Sequence, residues 1–158
     1  MQTYQPNMII GIEQYKKLLE EIPAKGKWKA WQEEYYTPYK DIYDLMLSFL
    51  FRASNIDCFR PFVEAWDFEG GWRAAEAFIA GGGAKLVKES AVSSAKALNF
   101  TRAYDVYLLI GFGLVGGTAL PGGHPFLYIG LEMWVDNQNA LNFVVPHEFL
   151  HMVRSHSL

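Results

Sequence analysis

The sequence predicts an α+β fold, with a helical N-terminal part over residues 1–102, then a small β-sheet and a last long helix over residues 103–158. Three observations predict it. Apolar residues recur at helical spacing through the first hundred positions; after Arg102 the chain turns to branched and aromatic runs bounded by Gly and Pro; helical spacing returns near the C-terminus.

With 158 residues, 51% of them hydrophobic, 20% charged and a net charge of -3, the chain belongs with globular domains, which excludes disorder, collagen-like repeats and coiled coil. A chain of this length buries roughly 70% of its unfolded surface, so a metal here is expected to serve function rather than folding. One cysteine, Cys58, leaves no disulfide framework within the chain and suits a reducing compartment. The opening MQTYQPNMII lacks the features of a signal peptide, so a cytoplasmic protein is expected. Val106 to Leu131 carries no Asp, Glu, Lys or Arg, yet its seven glycines and two prolines read as two apolar strands and a loop rather than a membrane span.

The elements follow in order. Ile10, Ile12, Leu18, Leu19 and Ile22 fall near one face of an amphipathic helix over residues 10–22 that is expected to end at Pro23. A lysine-rich connector around Lys25 to Lys29 leads to a buried helix from Tyr39 to Ala53, with Pro38 suited to a first helical position. Further helices are expected from about Pro61 to Trp66, Gly71 to Ala80 and Ala84 to Leu98, the last two separated by Gly81–Gly83. YDVYLLIGF and FLYIGLEMW read as strands. Asp136 is expected to cap the final helix, although Pro146 would then break a backbone bond one turn back; a later start near Asn142, or a bend, would resolve this.

Charge and histidine are both partitioned. Between Arg102 and Arg154 there is no Lys or Arg, whereas Asp105, Glu132, Asp136 and Glu148 all lie there, and His124, His147, His151 and His156 fall in the same third of the chain. Within VVPHEFLHMV stands His147-Glu148-Phe149-Leu150-His151, the H-E-x-x-H spacing. At about 100° per residue the two histidines differ by roughly 40° around a helix axis and one turn along it, so both imidazoles can address one ion. Glu148, offset by one residue, can reach a metal-bound water as general base, and zinc suits the nitrogen ligands. The bland alternative is an amphipathic helix carrying these residues by chance. The apolar flanks Val144, Val145, Phe149, Leu150, Met152 and Val153 favour a helix buried except where it faces a cleft.

These residues resemble the zincin metallopeptidases, most closely the gluzincin-like group of bacterial zinc-dependent proteases, over roughly residues 104 to 153. The resemblance implies a zincin-type active-site helix, zinc as cofactor, His147 and His151 as metal ligands, Glu148 as catalytic base, and a peptide or protein substrate held along an edge strand, here Phe126 to Trp134. In gluzincins a third ligand, usually Glu, comes from a further helix, and seven residues follow His151 here. The expectation is therefore an N-terminal portion of a longer metallohydrolase, binding metal weakly and nearly inactive alone. His156 falls on the wrong helical face unless the helix breaks near Ser155, and His124 and Glu132 are read as structural.

Other signals are weaker. Gly111-Phe-Gly113-Leu-Val-Gly116 matches the dinucleotide fingerprint formally, but Pro121, Gly122, Gly123 and Pro125 leave no room for the helix it needs. Trp28, Trp31, Tyr35, Tyr36, Tyr39, Tyr43, Trp66 and Trp72 read as core rather than a base-stacking platform, and the acidic balance disfavours nucleic acid. Cys58 reads as a small hydrophobe. No membrane partner is expected. A non-catalytic binding or regulatory module on the same scaffold is the competing class, separable by metal content and by Glu148→Gln.

Overall fold

The computed structural model describes residues 4–156. It is α+β, mostly helical, with one four-stranded mixed sheet. The first element is a strand, β1 (Asn7–Ile10), so Ile10 does not head the first helix. Gly11 makes the turn: a Cβ there would stand 2.7 Å from Leu109 Cδ2, closer than atoms tolerate. α1 (Ile12–Lys25) runs past Pro23, which lies in its last turn, and the Gly26 N–H closes the helix on the Ile22 carbonyl. The proline costs one helical bond there instead of ending the helix.

Gly26, at φ 81, redirects the chain into α2 (Lys27–Trp31), making the expected connector helical. Lys25 meets Glu21 at 3.1 Å within α1 and Glu33 at 2.8 Å across the break. The helical path continues through a π-helical turn (Gln32–Tyr36), a 3-10 turn (Thr37–Tyr39) that takes Pro38, α3 (Lys40–Met46) and a second π-helical turn (Leu47–Phe51). It starts before Tyr39 and stops short of Ala53, where Arg52 turns left-handed at φ 49. α4 (Arg60–Ala65), α5 (Phe68–Ala80) and α6 (Gly83–Ala97) follow, near the expected positions. Asp67 caps α5 by accepting the Gly70 N–H at 2.9 Å, and Gly82 (φ 82) separates α5 from α6.

β2 (Asp105–Leu109), β3 (Gly117–Thr118) and β4 (Phe126–Gly130) complete a sheet of order β1-β2-β4-β3, in which β1, β2 and β4 are parallel and β3 is antiparallel to β4. This corrects the placement of the substrate edge on Phe126 to Trp134. β4 ends at Gly130, where Leu131–Met133 makes a 3-10 turn, and it is an interior strand; every β4 residue is buried, as a strand paired on both sides and covered on both faces must be. The edge beside β4 is β3.

α7 (Leu141–His156) begins five residues beyond Asp136, after a 3-10 turn at Gln138–Ala140. Asp136 therefore does not cap it. The late start leaves Pro146 just past the first turn, where few helical bonds are at stake. Leu141, Val145, Phe149 and Met152 form its buried stripe, and the Phe149 ring packs edge-on against Phe100 and Tyr104 at 5.7 and 5.2 Å. The opposite face is more open than the apolar flanks predict: Phe143 is 79% exposed and Leu150 is 41% exposed.

The other packing centre lies among the helices. Trp31 is fully buried, stacked on Trp28 and Tyr36 at 5.1 and 5.4 Å and met edge-on by Tyr43, Phe59 and Phe112. Phe112, from the loop after β2, thus plugs the sheet half into the helical half. Among the described residues no helix is long and apolar enough to cross a membrane.

Candidate functional site

α7 brings His147 and His151 together. One helical turn separates them, their ring centroids are 4.7 Å apart, and the two Nε2 atoms stand 3.1 Å from each other. Two nitrogens on one tetrahedral zinc, each about 2.05 Å from it, lie about 3.4 Å apart, so small ring rotations reach that spacing. The same 3.1 Å also suits a hydrogen bond between neutral imidazoles, one Nε2–H donating to the other ring's lone pair. Both rings are exposed, because Phe149 and Val145 hold the core side of the helix and leave positions 147 and 151 on the other.

Glu148 is half-buried, and its side chain lies against β3. A methyl group on Gly117 of β3 would lie 3.5 Å from Glu148 Cγ and 3.1 Å from Val144 Cγ1. The motif glutamate therefore borders β3, the short antiparallel strand that among the described residues has no sheet neighbour on its far side. An extended chain could add there through backbone hydrogen bonds. The sequence reading missed β3, for two residues within a glycine-rich loop carry no strand periodicity; the run Gly116-Gly117-Thr118 beside a buried strand is the one hint it offers.

The remaining candidates stand apart from the histidine pair. His124 Nε2 lies 3.6 Å from Asp105 Oδ1. α7 runs unbroken through His156, so no break at Ser155 swings that ring round, and burial together with the nearby Arg102 charge holds its pKa below the ordinary value. Glu132 Oε1 accepts the Gly111 and Gly113 N–H groups at 2.9 and 3.0 Å, and burial raises its pKa. This also explains the fingerprint-like glycines: a carboxylate of the chain itself fills the amide cradle that a phosphate would need. Among the described residues, no group of three His, Cys, Asp or Glu side chains gathers closely enough to hold a metal ion.

The aromatic set is mostly core, with Trp28, Trp31, Tyr35, Tyr36, Tyr39 and Tyr43 buried and Trp66 and Trp72 partly so. Cys58 is half-buried, its thiol pKa raised chiefly by burial. Compared with protein-family models, with curated proteins and with solved structures, the chain gives no match in any of the three.

Proposed function

We propose that the chain carries the core of a zinc-dependent hydrolase acting on peptide bonds, with His147 and His151 as two metal ligands and Glu148 as the catalytic base. The observation that carries this reading is the approach of the two Nε2 atoms to 3.1 Å on an exposed helix face, with the neighbouring glutamate packed against β3. The donor set fits zinc in kind, two imidazole nitrogens at a workable spacing, and the reading requires a third donor from outside residues 4–156.

A bound zinc would supply Lewis acidity, polarising a carbonyl and easing deprotonation of water near neutral pH. Glu148 would take the proton from the attacking water and pass it to the leaving amine, the two-way transfer that a carboxylate on one side of a cleft can perform. β3 would hold the substrate backbone extended beside Glu148, so that the scissile carbonyl meets the base in a fixed orientation.

The test is Glu148→Gln in the zinc-loaded protein with its third donor present, given an unstructured protein substrate. Zinc binding by titration should persist while cleavage falls by roughly a hundredfold or more. Equal cleavage by the variant and the parent chain, or zinc binding that survives loss of both histidines, would overturn the reading.

A further inference from the structure

The turn after β4 does more than end a strand. Gly130, Glu132 and Trp134, within five consecutive residues, all bond the loop that runs from β2 to β3. Glu132 Oε1 takes the N–H groups of Gly111 and Gly113, while the Gly116 carbonyl accepts both the Gly130 N–H and the Trp134 indole N–H, each at 2.9 Å. The glycines are there by necessity. A side chain at Gly130 would collide with the Val115 carbonyl, one at Gly111 with the Tyr128 hydroxyl, and one at Gly116 would press on the Trp134 ring at 3.0 Å.

The loop so held is not relaxed. Phe112 sits at φ 57, a conformation that costs a bulky residue energy, and Gly113 at φ 70. Phe112 keeps that conformation because its ring is buried edge-on among Trp31, Trp66 and Phe68 while the flanking amides are bound by the Glu132 carboxylate. The next residue after this loop is Gly117, where β3 passes Glu148 and Val144. Nothing in helix-capping or core packing requires a partly buried carboxylate at position 132; an apolar residue would fill the space without leaving Oε2 unpartnered among the described residues. What the carboxylate uniquely supplies is two charge-assisted acceptor bonds to the loop amides on either side of Phe112.

We propose that Glu132, assisted by Trp134, is a positioning residue: it locks the 111–116 loop and thereby sets the place and register of the β3 edge beside Glu148, where an extended peptide backbone is to be held. This rests on the peptidase reading for what the edge holds, but the lock itself is a property of the chain.

Amide exchange on the whole chain tests the lock without any turnover. Glu132→Ala should lower protection of the Gly111 and Gly113 amides about tenfold or more, with faster exchange through Gly117 and Thr118. Glu132→Gln, which keeps one acceptor oxygen and the side-chain volume, should restore a substantial part; it also serves if the alanine variant fails to fold. Zinc affinity at His147 and His151 should stay within about twofold in both, since α7 is untouched. In peptide cleavage KM should rise more than kcat falls, because the edge binds backbone while Glu148 remains in place. Unchanged exchange in both variants overturns the proposal even in an active hydrolase. Faster exchange with unchanged KM reduces Glu132 to a structural residue and overturns it equally. A parent protein that has its third zinc donor and exchanges as expected but cleaves nothing brings down the peptidase reading and the positioning role, while the lock itself stands on the exchange data.

Discussion

Trp31 and His147 mark two halves of the molecule that use ring side chains in opposite ways. Trp31 is fully buried and touches five other aromatic rings, whereas the His147 and His151 rings touch each other and solvent, beside a Phe143 that is 79% exposed. Burial of large rings is where folding free energy comes from. Exposed rings contribute little of it, so their arrangement cannot be explained by stability. Substitutions in the two places should therefore fail differently, one set in unfolding and the other in binding.

The largest effect should come from the helical centre. Trp31→Ala removes a fully buried ring from the middle of the cluster and should cost about 3–5 kcal/mol in urea unfolding, lowering Tm by roughly 10 °C. A loss below about 1 kcal/mol would mean that the cluster is not the packing centre. Phe149→Ala comes next. It should cost about 3 kcal/mol, and because Phe149 seats α7 on Phe100 and Tyr104, zinc binding should weaken with it. That coupling sharpens the comparison, since it says that the exposed face depends on the buried one; intact zinc affinity in a destabilised Phe149→Ala chain would break it.

How much of this was legible in the sequence follows from the physics of each element. α5 and α6 could be read because the Gly81–Gly83 break is a local signal, though the Asp67 cap that starts α5 before the expected Gly71 was passed over, and α7 could be read because four-residue spacing survives even with Pro146 inside it. β1 was not, for its four residues NMII give no alternation to count and owe their strand conformation to pairing with β2, a partner about a hundred positions away. Which strand forms the edge was hidden for the same reason: order in a sheet is a long-range property, and β4 looks the same in sequence whether it is paired on one side or two. The histidine pair was legible because helical geometry alone brings the rings together. Glu132 was not read as a loop anchor, although a lone acid directly after a long uncharged stretch is the mark of a carboxylate with a buried task.

A smaller effect should appear in the pH dependence of stability. Burial raises the Glu132 pKa above its ordinary 4.5, opposed by the loop amides it binds. For a raised pKa, the folded state gains from the protonated form: the contribution is complete below pH 4.5 and is lost as pH rises through the folded-state value. His156 has the opposite sense. Its lowered pKa leaves stability intact above pH 6.5 and erodes it as pH falls below that. The difference in Tm between Glu132→Gln and the parent chain cancels His156, common to both, and should grow in favour of the variant as pH rises from 4.5. A flat difference would mean that the carboxylate is as well solvated folded as unfolded.

The smallest effect on stability should accompany the sharpest effect on binding. His147→Ala and His151→Ala each remove an exposed ring from a helix whose core stripe is elsewhere, and alanine is the better helix former, so unfolding should shift by no more than about 0.5 kcal/mol in either direction. Among the described residues their close ring contact is with each other, which makes the pair non-additive: the double variant should cost about as much as either single one. Zinc binding, if the two nitrogens share an ion, should be lost in each single variant alone, because one exposed imidazole holds zinc no better than any surface histidine. Two single variants that each keep half the affinity would instead describe two independent rings, and the 3.1 Å approach would then be a hydrogen bond between neutral imidazoles and no more.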